Sequence, residues 1–105
     1  MIPKPGEVNL VDLGMVAKTR PMVIVSRDDP DPPRALALAV PITTKNRGSP
    51  YEVAIGRPRY LQSDSWANVQ GLVAVGHEKL LRRLGQVTPE QFDQIKVAIR
   101  HALDL

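Results

Sequence analysis

The chain has no cysteine, which excludes disulfides and thiolate metal sites. Its two histidines, His77 and His101, stand far apart, so a zinc cluster is not expected, and neither is any other metal or cofactor. No apolar run approaches the ~18 residues a membrane-crossing helix needs. The N-terminal MIPKPGEV lacks the apolar core of a secretory signal, and a cytoplasmic protein with no membrane partner is expected. A glycine-rich phosphate loop, a nucleophile elbow, an HExxH motif and a Ser-His-Asp set are all missing. Ser26 and Ser65 have no local partner and read as structural. Glu78 adjoins His77 but would point elsewhere on a helix, so neither histidine has an orienting carboxylate.

What is present suits one domain, residues 1–105. A chain this short buries a modest core and commonly gains from oligomerising. Its ten prolines are about twice the usual share. They cluster outside the apolar runs, which predicts many short elements joined by tight loops. The formal charge of +3 permits a nucleic-acid partner without requiring one.

Thr19 to Thr44, TRPMVIVSRDDPDPPRALALAVPITT, organises the chain. Met22–Ser26 reads as a buried strand with Pro21 tolerated at its first position, where no ladder bond need be donated. Arg27–Arg34 carries three prolines and is a loop. Asp28, Asp29 and Asp31 within it read as solvated, because the prolines break the register of a calcium loop and no glycine sits in the middle. Ala35–Ile42 is continuously apolar and predicts a strand buried on both faces. Two such strands would place Arg20 at one mouth and Thr43 at another, and a cation with a hydroxyl suits a phosphate.

Glu7–Leu13 reads as a strand and Tyr51–Ile55 as a return strand after the polar loop Thr43–Pro50. Trp66–Val75 reads as a further strand with Gly71 at a bulge. Period 2 then puts Asn68 and Gln70 on the face of Trp66. His77–Arg83 reads as a short helical turn and Leu84–Val87 as a short strand. Thr88-Pro89-Glu90-Gln91 is a capping box with proline at N1. It opens a helix whose Phe92, Ile95, Ala98, Ile99, Ala102 and Leu103 share a core or interface face. The class is mainly β with a C-terminal helix: a small barrel of five or six antiparallel strands.

Four segments, in order, carry a resemblance. They are KPGEVNLVDLG (Lys4–Gly14), TRPMVIVS (Thr19–Ser26), VPITTKNRGSPYEVAI (Val40–Ile55) and HEKLLRRLGQVTPEQFDQIKVAIRHALDL (His77–Leu105). Together they resemble the MazF/PemK family of type II toxin–antitoxin endoribonucleases over nearly the whole chain. The resemblance implies an SH3-like or CcdB-like barrel, a homodimer, and a cognate antitoxin with an acidic disordered segment. It implies metal-independent cleavage of single-stranded RNA, with a 2′-hydroxyl attacking the neighbouring phosphate.

Carried over residue by residue, Arg20 takes the place of the catalytic arginine and Thr43 that of the catalytic threonine, with Thr44 the alternative if the loop shifts by one. Lys18, Thr44, Lys45, Arg47, Asn68 and Gln70 are the RNA-binding candidates. The sequence does not identify a general base. Three features depart from the family pattern. Met15–Thr19 is a short loop, the Asp-Pro loop is this chain's own, and Val73 stands where many members carry an arginine. The alternative reading is a catalytically degenerate member of the same barrel, binding nucleic acid or gripping a protein such as a topoisomerase. A structural partner domain with no nucleic acid is the third.

Overall fold

The computed structural model describes residues 2–14 and 18–105. The Met15–Thr19 loop therefore lies largely outside the described residues. Strand β1 (Glu7–Asp12) pairs antiparallel with β2 (Thr19–Ile24), and β2 pairs with β3 (Leu36–Thr43). Met22, Val23 and Ile24 are all buried, as a continuous apolar run requires when both faces of a strand are covered. Val23 and Val40 face one core with Val53, Ile55, Ala67 and Ile95. Met22, Ile24, Ala37 and Ala39 face a second core with Val11 and Val75.

On β3 the expectation of two buried faces holds only for the C-terminal half. Leu36 and Leu38 are 48% and 45% exposed. They share a parity with Val40 and Ile42, but nothing among the described residues roofs that face at the strand's start.

The apolar run Trp66–Val75 is not one strand. It divides into β5 (Ser65–Asn68), a 3-10 turn (Val69–Gly71) and β6 (Val73–Gly76). Both strands lie along the same edge of β3, with Ala39 opposite Val73 and Ile42 opposite Ala67. Between those pairs sits Pro41, which has no N–H to offer a ladder. Gly71 packs on it so closely that a Cβ there would stand 3.0 Å from the Pro41 Cδ. Gly71 thus marks a close approach within a turn, not a bulge.

Strand β4 (Glu52–Gly56) pairs with β5. The segment read as a helical turn also differs: after a 3-10 turn at His77–Lys79, Leu80–Gln86 forms β7 against β1. Its basic residues at positions 79, 82 and 83 mimic a helical spacing, but an open β1 edge is there to be paired. The sheet therefore has seven strands in the path β4-β5-β3-β2-β1-β7, with β6 beside β3. The class is the expected one, mainly antiparallel β with one C-terminal helix. Among the described residues no ladder joins β4 to β7, so the sheet does not close into a barrel.

Helix α1 (Pro89–Leu103) starts at the expected box. The Thr88 hydroxyl accepts from the Gln91 N–H at 3.1 Å and the Gln91 side chain accepts from the Thr88 N–H at 3.0 Å. The same Gln91 donates to the Ile55 carbonyl at 3.1 Å, tying the helix start to β4. Ile95 and Ala98 are buried, Phe92 and Ile99 pack against them, and Ala102 and Leu103 stay exposed.

Candidate active site

The β2–β3 ladder ends at Met22 opposite Pro41. Beyond it the strands follow different partners: β2 stays with β1, where Arg20 faces Val11, and β3 turns to β5, where Thr43 faces Trp66. Pro21 sits at this parting as the third residue of β2, not its first. It is tolerated because the β2–β3 ladder no longer asks it for a hydrogen. Extending the register by two residues from Met22–Pro41 sets Arg20 opposite Thr43. The split between the strands opens a cavity of about 560 Å³ lined by Arg20, Pro21, Thr43, Thr44 and Lys45.

Thr43 is held in a defined state. Its Oγ1 accepts the Lys45 N–H at 3.1 Å, which leaves its own proton free to donate into the cavity. Arg20 is exposed and forms no ion pair among those found in the described residues. A guanidinium and a hydroxyl donor therefore line one cavity, with no acidic side chain on it among the described residues.

A second cavity of about 360 Å³ adjoins the first, sharing Thr43 and Lys45. Arg47, Asn68 and Gln70 line it, with Ser49, Tyr51 and Glu52. Glu52 shapes the loop between β3 and β4. It accepts from the Arg47 N–H, the Ser49 N–H and the Ser49 hydroxyl at 2.8–3.2 Å. The Ser49 hydrogen bonds hold its carboxyl below the usual carboxylate range, so Glu52 stays ionised and is poorly matched to a general base near neutral pH. Asn68 has a structural task too: its Oδ1 accepts the Gln70 N–H at 3.1 Å and caps the 3-10 turn.

Of the residues singled out in the sequence, Arg20, Thr43, Thr44, Lys45, Arg47, Asn68 and Gln70 thus line two joined cavities. Lys18 lines neither; its carbonyl accepts the Leu13 N–H in the β1–β2 turn. Val73 opens β6 on the other side of Pro41 and lines neither cavity. Ser65 donates to the Ser63 carbonyl at 2.8 Å and is structural. His101 packs edge-on to Tyr51, their centroids 5.0 Å apart. In the Asp-Pro loop, Asp28 pairs with Lys4 at 3.0 Å and Asp29 accepts the Asp31 N–H. Among the described residues no group of three His, Asp or Glu side chains gathers as a metal site would require.

Among the wall residues that the sequence did not single out are Tyr60 and Arg82. Tyr60 comes from the loop between β4 and β5, and Arg82 from β7. Burial pushes the Tyr60 phenol above its usual range, and its hydroxyl points back to the Gln86 carbonyl at 3.4 Å. The period-2 set Leu80, Arg82, Leu84 was the available signal for the second, masked by the helical spacing of neighbouring charges.

A family profile for PemK-like, MazF-like toxins of type II toxin–antitoxin systems matches residues 4–103. The chain belongs to this family. It is 35% identical over 103 residues to Endoribonuclease MazF4 of Mycobacterium tuberculosis and to Endoribonuclease MazF1 of Mycobacterium bovis. Each match spans 98% of this chain and 94% of the relative. Among solved structures, an endoribonuclease in complex with its cognate antitoxin from a mycobacterial species superposes with a TM-score of 0.84 at 33% identity, covering 98% of this chain and 96% of that one. A MazE–MazF structure from Deinococcus radiodurans gives 0.82 at 16% identity, covering 100% and 98%, and speaks to the fold alone. Among the described residues no helix is long and apolar enough to cross a membrane.

Proposed function

We propose that this chain, as an endoribonuclease of the PemK/MazF toxin family, cuts single-stranded RNA without a metal ion, using Arg20 and Thr43. The observation that carries the reading is the parting of β2 and β3, which leaves a guanidinium and a free hydroxyl donor on one cavity. The substrate's 2′-hydroxyl attacks the adjacent phosphorus. A bond forms from the 2′-oxygen to phosphorus as the bond to the 5′-oxygen breaks; the 2′-hydroxyl gives up its proton to solvent and the departing 5′-oxygen takes one up, giving a cyclic phosphate and a 5′-hydroxyl. Charge accumulates on the phosphoryl oxygens as the pentacovalent state forms. An arginine stays protonated throughout and stabilises that charge, while Thr43 donates a hydrogen bond to the same oxygens. Lys45 and Arg47 lie along the joined cavities and hold flanking phosphates. Asn68 and Gln70 stand where unstacked base edges would pass.

The antitoxin-bound structure of the 33%-identical relative supports a cognate antitoxin here. An acidic, disordered segment laid across the same basic cavities would block them. The exposed apolar set Leu36, Leu38 and Ala74 on the β3–β6 pair suits a second copy of the chain, which would complete a homodimer. The protein would act in the cytoplasm, where its RNA is.

The test is incubation of the purified protein with a long single-stranded RNA in EDTA, beside Arg20→Ala, with the new 5′ ends mapped. Discrete cuts bearing 5′-hydroxyls are expected from the wild type. The variant should lose at least ~100-fold in rate, the scale of losing one transition-state donor, and should keep its fold. An Arg20→Ala protein that cuts normally would overturn the assignment. Salt-sensitive binding without cleavage by the wild type would favour a degenerate RNA-binding member.

A further inference from the structure

We propose that Arg82 is a substrate-binding residue of the larger cavity, gripping a phosphate that flanks the one being cleaved; this rests on the RNA-cutting reading above. Three facts carry it. The first is register. Leu10 on β1 faces Pro21 on one side and Arg82 on the other, and all three line the cavity. Across the sheet the order is therefore Thr43 on β3, Arg20 and Pro21 on β2, Leu10 on β1, then Arg82 on β7. Strands lie ~4.8 Å apart, so the Arg82 backbone stands about 10 Å from β2. That offset places its guanidinium beside the reacting phosphate's neighbour and leaves the reacting phosphate to Arg20 and Thr43.

The second fact is how Arg82 is aimed. The β1–β7 register slips twice. Val8 faces Gly85 while Asn9 faces Arg83, which leaves Leu84 over; Leu10 faces Arg82 while Val11 faces Leu80, which leaves Leu81 over. Bulges of this kind re-aim side chains, and these two bracket the Arg82–Arg83 pair.

The third is that the neighbouring arginines differ in employment. Arg83 is bound to Glu7 at 3.2 Å and to the Gln86 side chain at 3.1 Å. Arg82 is in neither ion pair found among the described residues and has the cavity before it. Arg82 thus brings a further cation to this cavity from β7.

The experiment compares wild type, Arg82→Gln, Arg82→Lys and Arg83→Gln. It measures affinity for a single-stranded RNA with methylated 2′-hydroxyls, which cannot be cut, across a range of salt. Cleavage kinetics are measured on the unmodified RNA. Each phosphate contact to a single strand contributes about 0.7 to the slope of log affinity against log salt. Arg82→Gln should flatten the slope by about that amount and weaken binding about five-fold at ~0.1 M salt. KM should rise by a similar factor with kcat little changed. Arg82→Lys should keep the slope, and Arg83→Gln should match the wild type. A wild-type slope in Arg82→Gln, an equal flattening in Arg83→Gln, or a loss confined to kcat each overturns the assignment. A wild type that cuts while Arg82→Gln behaves identically removes only this proposal. A wild type that neither binds nor cuts removes the RNA-cutting reading with it.

Discussion

Gly85→Ala gives a direct test of how the cavity wall is built. Gly85 lies on β7, and its backbone is not in the left-handed region. Alanine is therefore conformationally acceptable, and by restricting the unfolded chain it should stabilise by about 0.4–1 kcal/mol. Sterics oppose this. A Cβ at Gly85 would stand 2.9 Å from the Cγ of Tyr60 and closer still to the ring edge. Because Cγ is the root of the ring, spinning the ring about its own axis cannot clear the overlap; the whole side chain must swing away. Overpacking of this kind costs about 1–3 kcal/mol. The hydrogen bond the ring would give up, Tyr60 hydroxyl to Gln86 carbonyl at 3.4 Å, is long and adds little. The clash outweighs the entropy gain, and a net loss of roughly 1–2 kcal/mol is expected. That corresponds to a Tm lower by roughly 4–10 °C for a domain of this size. Denaturant unfolding of Gly85→Ala, Tyr60→Ala and the double variant closes the cycle. If the ring is the obstacle, removing it rescues the alanine, with a coupling of about 0.5–3 kcal/mol. Additivity of the two single effects within ~0.5 kcal/mol would refute the contact. RNA cleavage adds a second readout, because a displaced Tyr60 leaves the wall of the cavity that holds Arg20 and should raise KM.

Asn9 is fully buried between β2 and β7, and among the described residues neither its Nδ2 nor its Oδ1 has a hydrogen-bond partner. Asn9→Leu, similar in size, should therefore stabilise by about 1–3 kcal/mol in denaturant unfolding; a clear loss would show that the amide is satisfied. Leu38→Arg puts a charge in the exposed apolar set on β3. On the proposed homodimer, it should leave the fold intact while halving the sedimenting mass from twice the 11.6 kDa of one chain to a single copy; unchanged dimers would place the contact elsewhere.

Where local chemistry decides conformation, the sequence was readable. The box at Thr88–Gln91 contains both partners of its own hydrogen bonds, so the start of α1 needs no tertiary information. Met22, Val23 and Ile24 announce a strand covered on both faces, and both cores are found there. Failures came where a neighbour decides. Nothing inside Trp66–Val75 says that Pro41, twenty-five residues earlier than Trp66, will interrupt the edge along which both β5 and β6 lie. Arg82 and Arg83 resemble a helical surface until the unfilled edge of β1 makes a strand the better use of the segment. The two bulges of β7 then fix which arginine turns to the cavity, and no periodicity in the segment encodes them.

The same distinction explains why the site is only half visible in the sequence. Arg20 and Thr43 are far apart in the chain, yet Arg20 opens one apolar run at Pro21 and Thr43 closes the other, two residues past Pro41. Those prolines lie where the β2–β3 ladder stops. A paired sheet would bury its end residues in hydrogen bonds; an interrupted one lets two strands separate while their flanks stay anchored to β1 and β5. The residues just past the break gain both rigidity and open space, and a phosphate-stabilising pair needs both. This half of the site is written as two apolar runs, one opened by Arg20-Pro21 and the other closed by Thr43 just past Pro41. The other half, with Tyr60 and Arg82, exists only because β7 arrives across β1. Its contribution follows from the sheet order, not from any motif.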